Sequence, residues 1–263
     1  MTATPALQDG RYLLLAALGR GGMAAVYRAF DRVGQRLVAL KVPSVPEPPG
    51  PGHSLSVEFA AWSRLAHPNV VRLYELSWAR SGPFPPGEPY LVLEHVAGGP
   101  AHRALPAGRS GPARVEALVT EVLRALEHVH GAGLLHRDLK PSNVLLPAGR
   151  GPAKLTDFGL AAPLGTREEP GRINGSLPYV SPEALLGQTL DGRSDLYSLG
   201  ILLYQLVTGR LPLPGAGPEA LVRWHLSGPP PDPRAVRPET PERLARFILR
   251  LTARSPAARP ADA

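Results

Sequence analysis

The 263-residue sequence contains no cysteine, which excludes disulfides and cysteine-ligated zinc and is compatible with a reducing compartment. Lysine is almost as scarce. Of 29 basic residues only Lys41, Lys140 and Lys154 are lysine. A compact ammonium on a flexible stem differs chemically from a planar guanidinium, so each lysine is a candidate for a place where arginine would not serve. No block of five like charges occurs. The formal net charge of +7 therefore reads as a solvated, arginine-rich surface and not as a nucleic-acid site. Met1–Asp9 lacks the basic start and apolar core of a secretory signal. The longest apolar run, Leu196–Val207, is interrupted by Ser198, Gly200 and Gln205 and is too short to span a bilayer. A soluble, cytoplasmic chain is expected.

Length and a hydrophobic content of 43% suit one large domain, or two lobes around a cleft. Arg11–Gly19, Ala25–Phe30 and Leu37–Val42 read as strands, the last two joined as a hairpin through Asp31–Gln35. Pro43–Gly52 is a proline-rich loop, Val57–Leu65 a short helix and Tyr90–Glu94 an apolar strand. After Gly98-Gly99 the pattern changes. Val115, Leu118, Val119, Val122, Leu126 and Val129 fall at helical spacing. Leu196–Val207 is apolar all round, which predicts a buried central helix, and Glu242–Thr252 reads as another helix. Strands with one helix, followed mostly by helices, predict an α+β fold: a small β-rich N-lobe over residues 11–97, with a five-stranded sheet and one helix, and a larger α-helical C-lobe over residues 98–263.

Two stretches carry chemistry. In Gly19-Arg20-Gly21-Gly22-Met23-Ala24-Ala25-Val26, glycines between strands let backbone amides approach an anion, although a plain structural turn has the same look. Lys41 ends an apolar strand 15 residues after Val26, within reach of phosphates under such a loop; a surface lysine snorkelling from the strand is the alternative. The second stretch is His136-Arg137-Asp138-Leu139-Lys140-Pro141-Ser142-Asn143, in which Pro141 prevents a regular helix. An Asp to orient a hydroxyl, a Lys to neutralise phosphate charge and an Asn to bind a metal suit phosphoryl transfer. Asp157-Phe158-Gly159 follows 14 residues after Asn143 and offers a carboxylate in a tight turn for a hard cation.

Together these motifs resemble those of the eukaryotic-like protein kinases, over about Arg11 to Ala263 and closest to the bacterial serine/threonine branch. The resemblance implies a two-lobed protein-kinase-like fold that transfers the γ-phosphoryl of Mg-ATP to Ser/Thr hydroxyls of protein substrates. It implies that Gly19, Gly21 and Val26 cover ATP, that Ala39 and Leu145 sandwich the adenine, and that Leu93, Glu94 and Val96 form the back and hinge of its pocket. Lys41 would hold the α- and β-phosphates and pair with Glu58, the only carboxylate between Glu47 and His67. Asp138 and Lys140 would act on the hydroxyl and the phosphate, and Asn143 and Asp157 would hold Mg²⁺. Glu183 should pair with Arg259. His136, Phe158, Trp62 and Leu73 match an internal column. Asp195 should either accept from the catalytic-loop backbone or cap its helix, and both can hold. A homodimer for autophosphorylation is left open. A nucleotide-binding pseudokinase is the alternative, but its usual mark, a lost catalytic residue, is missing.

The sequence also departs from the family pattern. Ala24 replaces the third loop glycine, and Trp62 stands where a smaller aliphatic is usual, to stabilise or obstruct the Glu58 position. Between Asp157 and Glu183, Glu168, Glu169 and Pro170 occupy positions where relatives carry phosphorylated threonines, and Ser176 matches the residue facing the substrate site. Either Glu168 or Glu169 pairs with Arg137, a weaker substitute because a carboxylate carries about half the charge of a phosphate, or the glutamates belong to a solvated acidic loop; both readings are open at this point. The chain ends soon after Arg259, where relatives continue through another helix, so a longer parent protein is expected.

Overall fold

The computed structural model describes residues 6–7, 10–22, 24–44, 54–105, 112–169, 174–228, 230 and 232–263. The chain divides into two compact units, Met1–Ala66 with Val71–Val96, and His67–Val70 with Ala97–Ala263.

The first unit contains strands β1 (Ala6–Leu7), β2 (Tyr12–Arg20), β3 (Ala24–Asp31) and β4 (Arg36–Pro43), helix α1 (Ser54–Trp62), and strands β5 (Leu73–Trp78) and β6 (Pro89–Glu94). They form one antiparallel sheet in the order β1-β2-β3-β4-β6-β5. The sheet has six strands where the sequence led us to expect five, because two-residue β1 adds to the edge of β2. Val38, Leu40 and Val42 alternate along β4 and bury one face against Tyr12, Leu14, Ala29, Tyr90 and Val92. At one end of this sheet Arg11 bonds both Asp31 and Glu75, and the Tyr12 hydroxyl donates to Glu75 at 2.7 Å. Helix α1 begins three residues before the expected Val57 and ends at Trp62. Residues 45–53, most of the proline-rich connection, lie outside the described residues. Trp62 is fully buried, and its indole Nε1 donates to the Val71 carbonyl at 2.8 Å. Its bulk therefore anchors the end of α1 to the chain entering β5.

The second unit contains β7 (Gly98–Pro100), α2 (Ala101–Ala104), α3 (Pro112–Gly131), β8 (Leu134–Leu135), β9 (Val144–Pro147), β10 (Lys154–Leu155), β11 (Ala162–Pro163), α4 (Pro182–Leu185), α5 (Gly192–Thr208), α6 (Pro218–Ser227), α7 (Pro233–Val236) and α8 (Glu242–Leu251). Its short strands make a three-stranded sheet, β10-β9-β7, and a pair, β11-β8. Helix α5 is buried along almost its whole length, as a run that is apolar on all faces predicts. Gly200 lets it approach α8 closely, since a Cβ there would lie 2.6 Å from Thr252 Cγ2. Helix α8 answers with Leu244, Ala245, Ile248 and Leu251 on one buried face. Among the described residues no helix is long and apolar enough to cross a membrane.

The two carboxylates near the start of α5 do different work. Asp191 is extended (φ −127°, ψ −176°) and caps the helix by accepting from the Arg193 amide. Asp195 already lies inside the helix. Its carboxylate accepts from the His136 and Arg137 amides, both at 2.9 Å, and not from α5. Glu183 and Arg259 form the expected pair, bidentate at 2.6 and 2.9 Å and almost wholly buried. Burial opposes ionisation of Glu183, but the Arg259 hydrogen bond and charge, with the Ser194 hydroxyl, hold its carboxyl below the usual range.

Candidate active site

In the first unit, β2 and β3 are joined by the glycine-rich turn, closed by a 2.8 Å hydrogen bond from the Gly21 amide to the Ala24 carbonyl. The Ser44 hydroxyl at the end of β4 donates to the Gly21 carbonyl at 2.8 Å. A Cβ added at Gly19 or Gly22 would meet nothing within 4 Å. The turn therefore leaves open space beside its backbone, as a phosphate cradle requires. Val26 pairs with Lys41 across β3 and β4, and Ala39 pairs with Leu93 across β4 and β6. Lys41 Nζ donates to both carboxylate oxygens of Glu58, at 2.7 and 2.8 Å, in a buried ion pair. Trp62, one helical turn along α1 from Glu58, does not obstruct this pair. Leu93 is buried, Glu94 accepts from the Arg72 amide at 3.1 Å through its side chain, and Val96 is half-buried.

The second unit carries the loop from His136 to Asn143. Arg137 holds a left-handed φ of 67°, a strained conformation for a non-glycine residue that costs about 1–3 kcal/mol. Asp195 fixes the two amides that lead into this strained residue. Burial opposes ionisation of Asp195, but the His130 hydrogen bond at 2.8 Å, the nearby His136 ring and the His136 amide keep its carboxyl below the ordinary range. The His136 ring accepts the Asp138 amide at Nδ1 and therefore carries its proton on Nε2, which donates to the Thr156 carbonyl at 3.1 Å. Phe158 packs on this ring at 4.9 Å between centroids. Trp62 and Leu73, the other members of the expected column, belong to the first unit.

The carboxylate of Asp138 is held on several sides. Oδ1 accepts from the Ser176 amide at 3.0 Å, and Oδ2 accepts from Lys140 Nζ at 2.6 Å and Asn143 Nδ2 at 3.1 Å. Lys140 also donates to the Ser176 hydroxyl at 2.9 Å, so one ammonium joins the two residues. Asn143 donates through Nδ2 to Asp138, and its Oδ1 accepts from the Ser142 hydroxyl at 3.3 Å. The Thr156 amide donates to the Asn143 carbonyl at 3.0 Å, extending the β9–β10 ladder by one pair, and Asp157 follows one residue beyond that pair. Asp157 takes a left-handed φ of 69°. An asparagine carboxamide oxygen and an aspartate carboxylate are the donor types that a hard divalent cation takes. Leu145 is half-buried on β9, opposite Lys154.

Between Asp157 and Ser176 the chain returns to the loop through two contacts. Of the two candidate glutamates, Glu168 takes Arg137: the guanidinium Nη2 donates to Glu168 Oε1 in an ion pair whose side chains are 13% and 5% exposed. Glu168 Oε2 accepts from Asn174 Nδ2. Glu169 is exposed. Pro170, the third position named from the sequence, lies outside the described residues. Gly175 then adopts a φ of 101°, and a Cβ there would sit 2.8 Å from the Arg137 carbonyl. Only glycine permits this approach, which delivers the Ser176 amide to Asp138.

A family model for the protein kinase domain matches residues 12–261. The chain belongs to the protein kinase family. It is 39% identical over 99% of its length to the DNA damage-responsive serine/threonine-protein kinase RqkA of Deinococcus radiodurans. It is 36% identical over 96% of its length to the serine/threonine-protein kinase pkn3 of Myxococcus xanthus, and 33% identical over 94% to the serine/threonine-protein kinase PrkC of Bacillus subtilis. The chain spans 39%, 48% and 38% of the lengths of these relatives. The β-rich first unit and helical second unit agree with the kinase fold, and the family implies use of ATP with a divalent metal.

Several contacts in this kinase domain were not legible in the sequence. His130 on α3 supports Asp195 from 65 positions away, and Asn174 holds the second oxygen of Glu168. Neither sits in a motif. Ser44, near the start of the proline-rich loop, carries no pattern that would announce its bond to Gly21.

Proposed function

We propose that this chain is a serine/threonine protein kinase domain that transfers the γ-phosphoryl group of Mg-ATP to protein hydroxyls. The observation that carries this reading is the Asp138 carboxylate, held by Ser176, Lys140 and Asn143 while Lys140 also reaches the Ser176 hydroxyl. We divide the chain into an N-lobe of residues 11–97 and a C-lobe of residues 98–263, and we assign nucleotide binding to Gly19, Gly21, Val26, Ala39, Leu93, Glu94, Val96 and Leu145.

Lys41, oriented by Glu58, would neutralise phosphate charge; a bidentate ammonium–carboxylate pair fixes the lysine where an unpaired one would swing. Asn143 and Asp157 would hold Mg²⁺, which when bound neutralises charge developing on the phosphoryl oxygens. Asp138 would orient the acceptor hydroxyl and take its proton, and Lys140 would neutralise charge on the transferred group. Transfer is then mostly positioning and charge neutralisation, so each of the six groups Lys41, Glu58, Asp138, Lys140, Asn143 and Asp157 matters. Their joint presence disfavours a nucleotide-binding scaffold. The partners we infer are ATP and a Ser/Thr protein acceptor, with a second copy of the chain as one acceptor. A cytoplasmic setting fits ATP as donor. Radiolabel transfer from ATP–Mg²⁺ to the chain itself and to casein tests the reading. Asp138→Asn should abolish measurable transfer while leaving nucleotide binding intact; a wild type that binds nucleotide and transfers nothing would sink it.

A further inference from the structure

Helix α6 contributes one buried titratable side chain that the phosphoryl-transfer groups do not use. His225 is 1% exposed, and both of its ring nitrogens are engaged. Nδ1 faces the Tyr197 hydroxyl at 2.7 Å, and Nε2 faces the Leu177 carbonyl at 3.1 Å. A carbonyl only accepts, so Nε2 carries the proton and Nδ1 accepts from Tyr197. The neutral ring satisfies both partners at once, and burial holds its pKa down to about 4, so the ring stays neutral. The chain of donors runs from Tyr197 on α5, through His225 on α6, to the main chain of Leu177.

Leu177 follows Ser176 directly, and Ser176 bonds Asp138 through its amide and Lys140 through its hydroxyl. The short turn Leu177–Tyr179 is tied elsewhere to α5. The Ser198 hydroxyl donates to the Tyr179 carbonyl at 2.8 Å, and the Tyr179 hydroxyl donates to Gln205 Oε1. His225 ties the leading end of the same turn to α6. A histidine that merely filled core volume would not need both nitrogens aimed at fixed partners 28 and 48 positions away.

We propose that His225 is a positioning residue for the polypeptide acceptor: by holding the Leu177 carbonyl, it fixes where Ser176–Tyr179 lies beside Asp138 and so sets acceptor affinity without affecting ATP. This rests on the protein kinase reading above. A side chain that both accepts from Tyr197 and donates to Leu177 can replace the imidazole, and glutamine does both. Phenylalanine keeps the bulk and does neither.

The test is steady-state transfer from radiolabelled ATP to dephosphorylated casein by the wild type and by His225→Phe, His225→Gln and Tyr197→Phe. Losing a buried hydrogen bond of this kind is worth about a factor of ten, so His225→Phe should raise the acceptor KM about tenfold, with the ATP KM within about twofold. His225→Gln should return the acceptor KM to within about threefold of wild type. If His225→Phe does not fold, Tyr197→Phe carries the comparison, with a smaller rise of about threefold in the acceptor KM alone. An unchanged acceptor KM in the folded variants, equal changes in both KM values, or a His225→Gln no better than His225→Phe overturns the inference while leaving the kinase reading standing. A wild type that transfers nothing overturns both.

Discussion

Glu168 offers the sharpest test of how the segment before Ser176 is held on the catalytic loop. The perturbation is Glu168→Ala. It removes the only carboxylate that bonds Arg137 among the described residues, in a pair with side chains 13% and 5% exposed. Removing one member of a buried pair strands the other charge, at a cost of roughly 3–5 kcal/mol. The Asn174 amide loses its acceptor too, worth about 1 kcal/mol. The protein need not bear the whole cost, because the segment can lift and let Arg137 hydrate. Lifting, however, withdraws Gly175 from the Arg137 carbonyl and the Ser176 amide from Asp138. Whichever route is taken, the population with Ser176 in place falls, and each 1.4 kcal/mol of lost docking reduces a minor docked state about tenfold.

After phosphatase treatment, Glu168→Ala should therefore lose about 10- to 100-fold in kcat/KM for a protein acceptor. Glu168→Gln keeps an acceptor for Arg137 without the charge and should fall between the two. Glu169→Ala, at an exposed position, should stay within about twofold. The measurement is the initial rate of transfer from radiolabelled ATP, with the melting temperature recorded to show that each variant is folded. A folded Glu168→Ala protein as active as the wild type would refute the reasoning. So would a wild type that phosphatase alone inactivates, because the carboxylate would then not be holding the segment. Arg137 Nε is buried without a hydrogen-bond partner among the described residues, so the carboxylate leaves part of the guanidinium unused. That is the physical sense in which one carboxylate is a weaker clamp than a phosphate.

Two further predictions concern stability. Arg259→Met leaves Glu183 buried beside Ser194 without its guanidinium, and urea unfolding should show a loss of about 3–5 kcal/mol; a loss under 1 kcal/mol would show that the pair is dispensable. His225 has its folded pKa depressed to about 4 from an ordinary 6.5, so on acidification the unfolded chain takes up a proton that the folded protein refuses, and stability present above pH 6.5 is lost towards pH 4. Between pH 7 and 5 the wild type should lose about 2 kcal/mol more than His225→Gln, in which the neighbouring Tyr197, Arg259 and Glu183 are unchanged and the depressed His67 and His95 are shared; parallel slopes would refute this.

What the sequence discloses depends on how local the determining physics is. The order Asp138, Lys140, Asn143, Asp157 is legible because Pro141 and a two-stranded ladder fix the spacing within about twenty residues. Glu58 is legible because the family resemblance implies a glutamate before His67 and Glu58 is the one carboxylate in that stretch. The choice between Glu168 and Glu169 is not, because adjacent side chains on extended backbone point to opposite sides and only a distant contact decides which faces inward. Here the decision comes from Arg167, which pairs with Thr189 and sends its Nε to that hydroxyl at 2.9 Å, leaving Glu168 for Arg137. Asp195 was ambiguous for a different reason: it could cap its helix or serve the loop, and only the actual first turn shows that Asp191, four residues earlier, is the extended residue that caps.

From the sequence a fifth strand is counted but β5 is not located, and helix α6 is not placed. Leu73–Trp78 is partly exposed along its length, so it has no clean alternation of buried and exposed residues to detect. Helix α6 is flanked by Pro212–Gly217 and by prolines 229–231, and those signals outweigh its ten residues. Missing the helix also hides His225, whose partners lie 28 and 48 positions earlier. The chemical groups of this domain are therefore readable as a motif, while the groups that hold them in place are tertiary. Asp195, His130, Glu168 and His225 each act through a buried polar contact with main chain or charge, and low local dielectric makes such contacts costly to leave half-made. A sequence can keep every catalytic residue and still lose activity through any one of these four, and none of them would be flagged by the spacing of the catalytic motif.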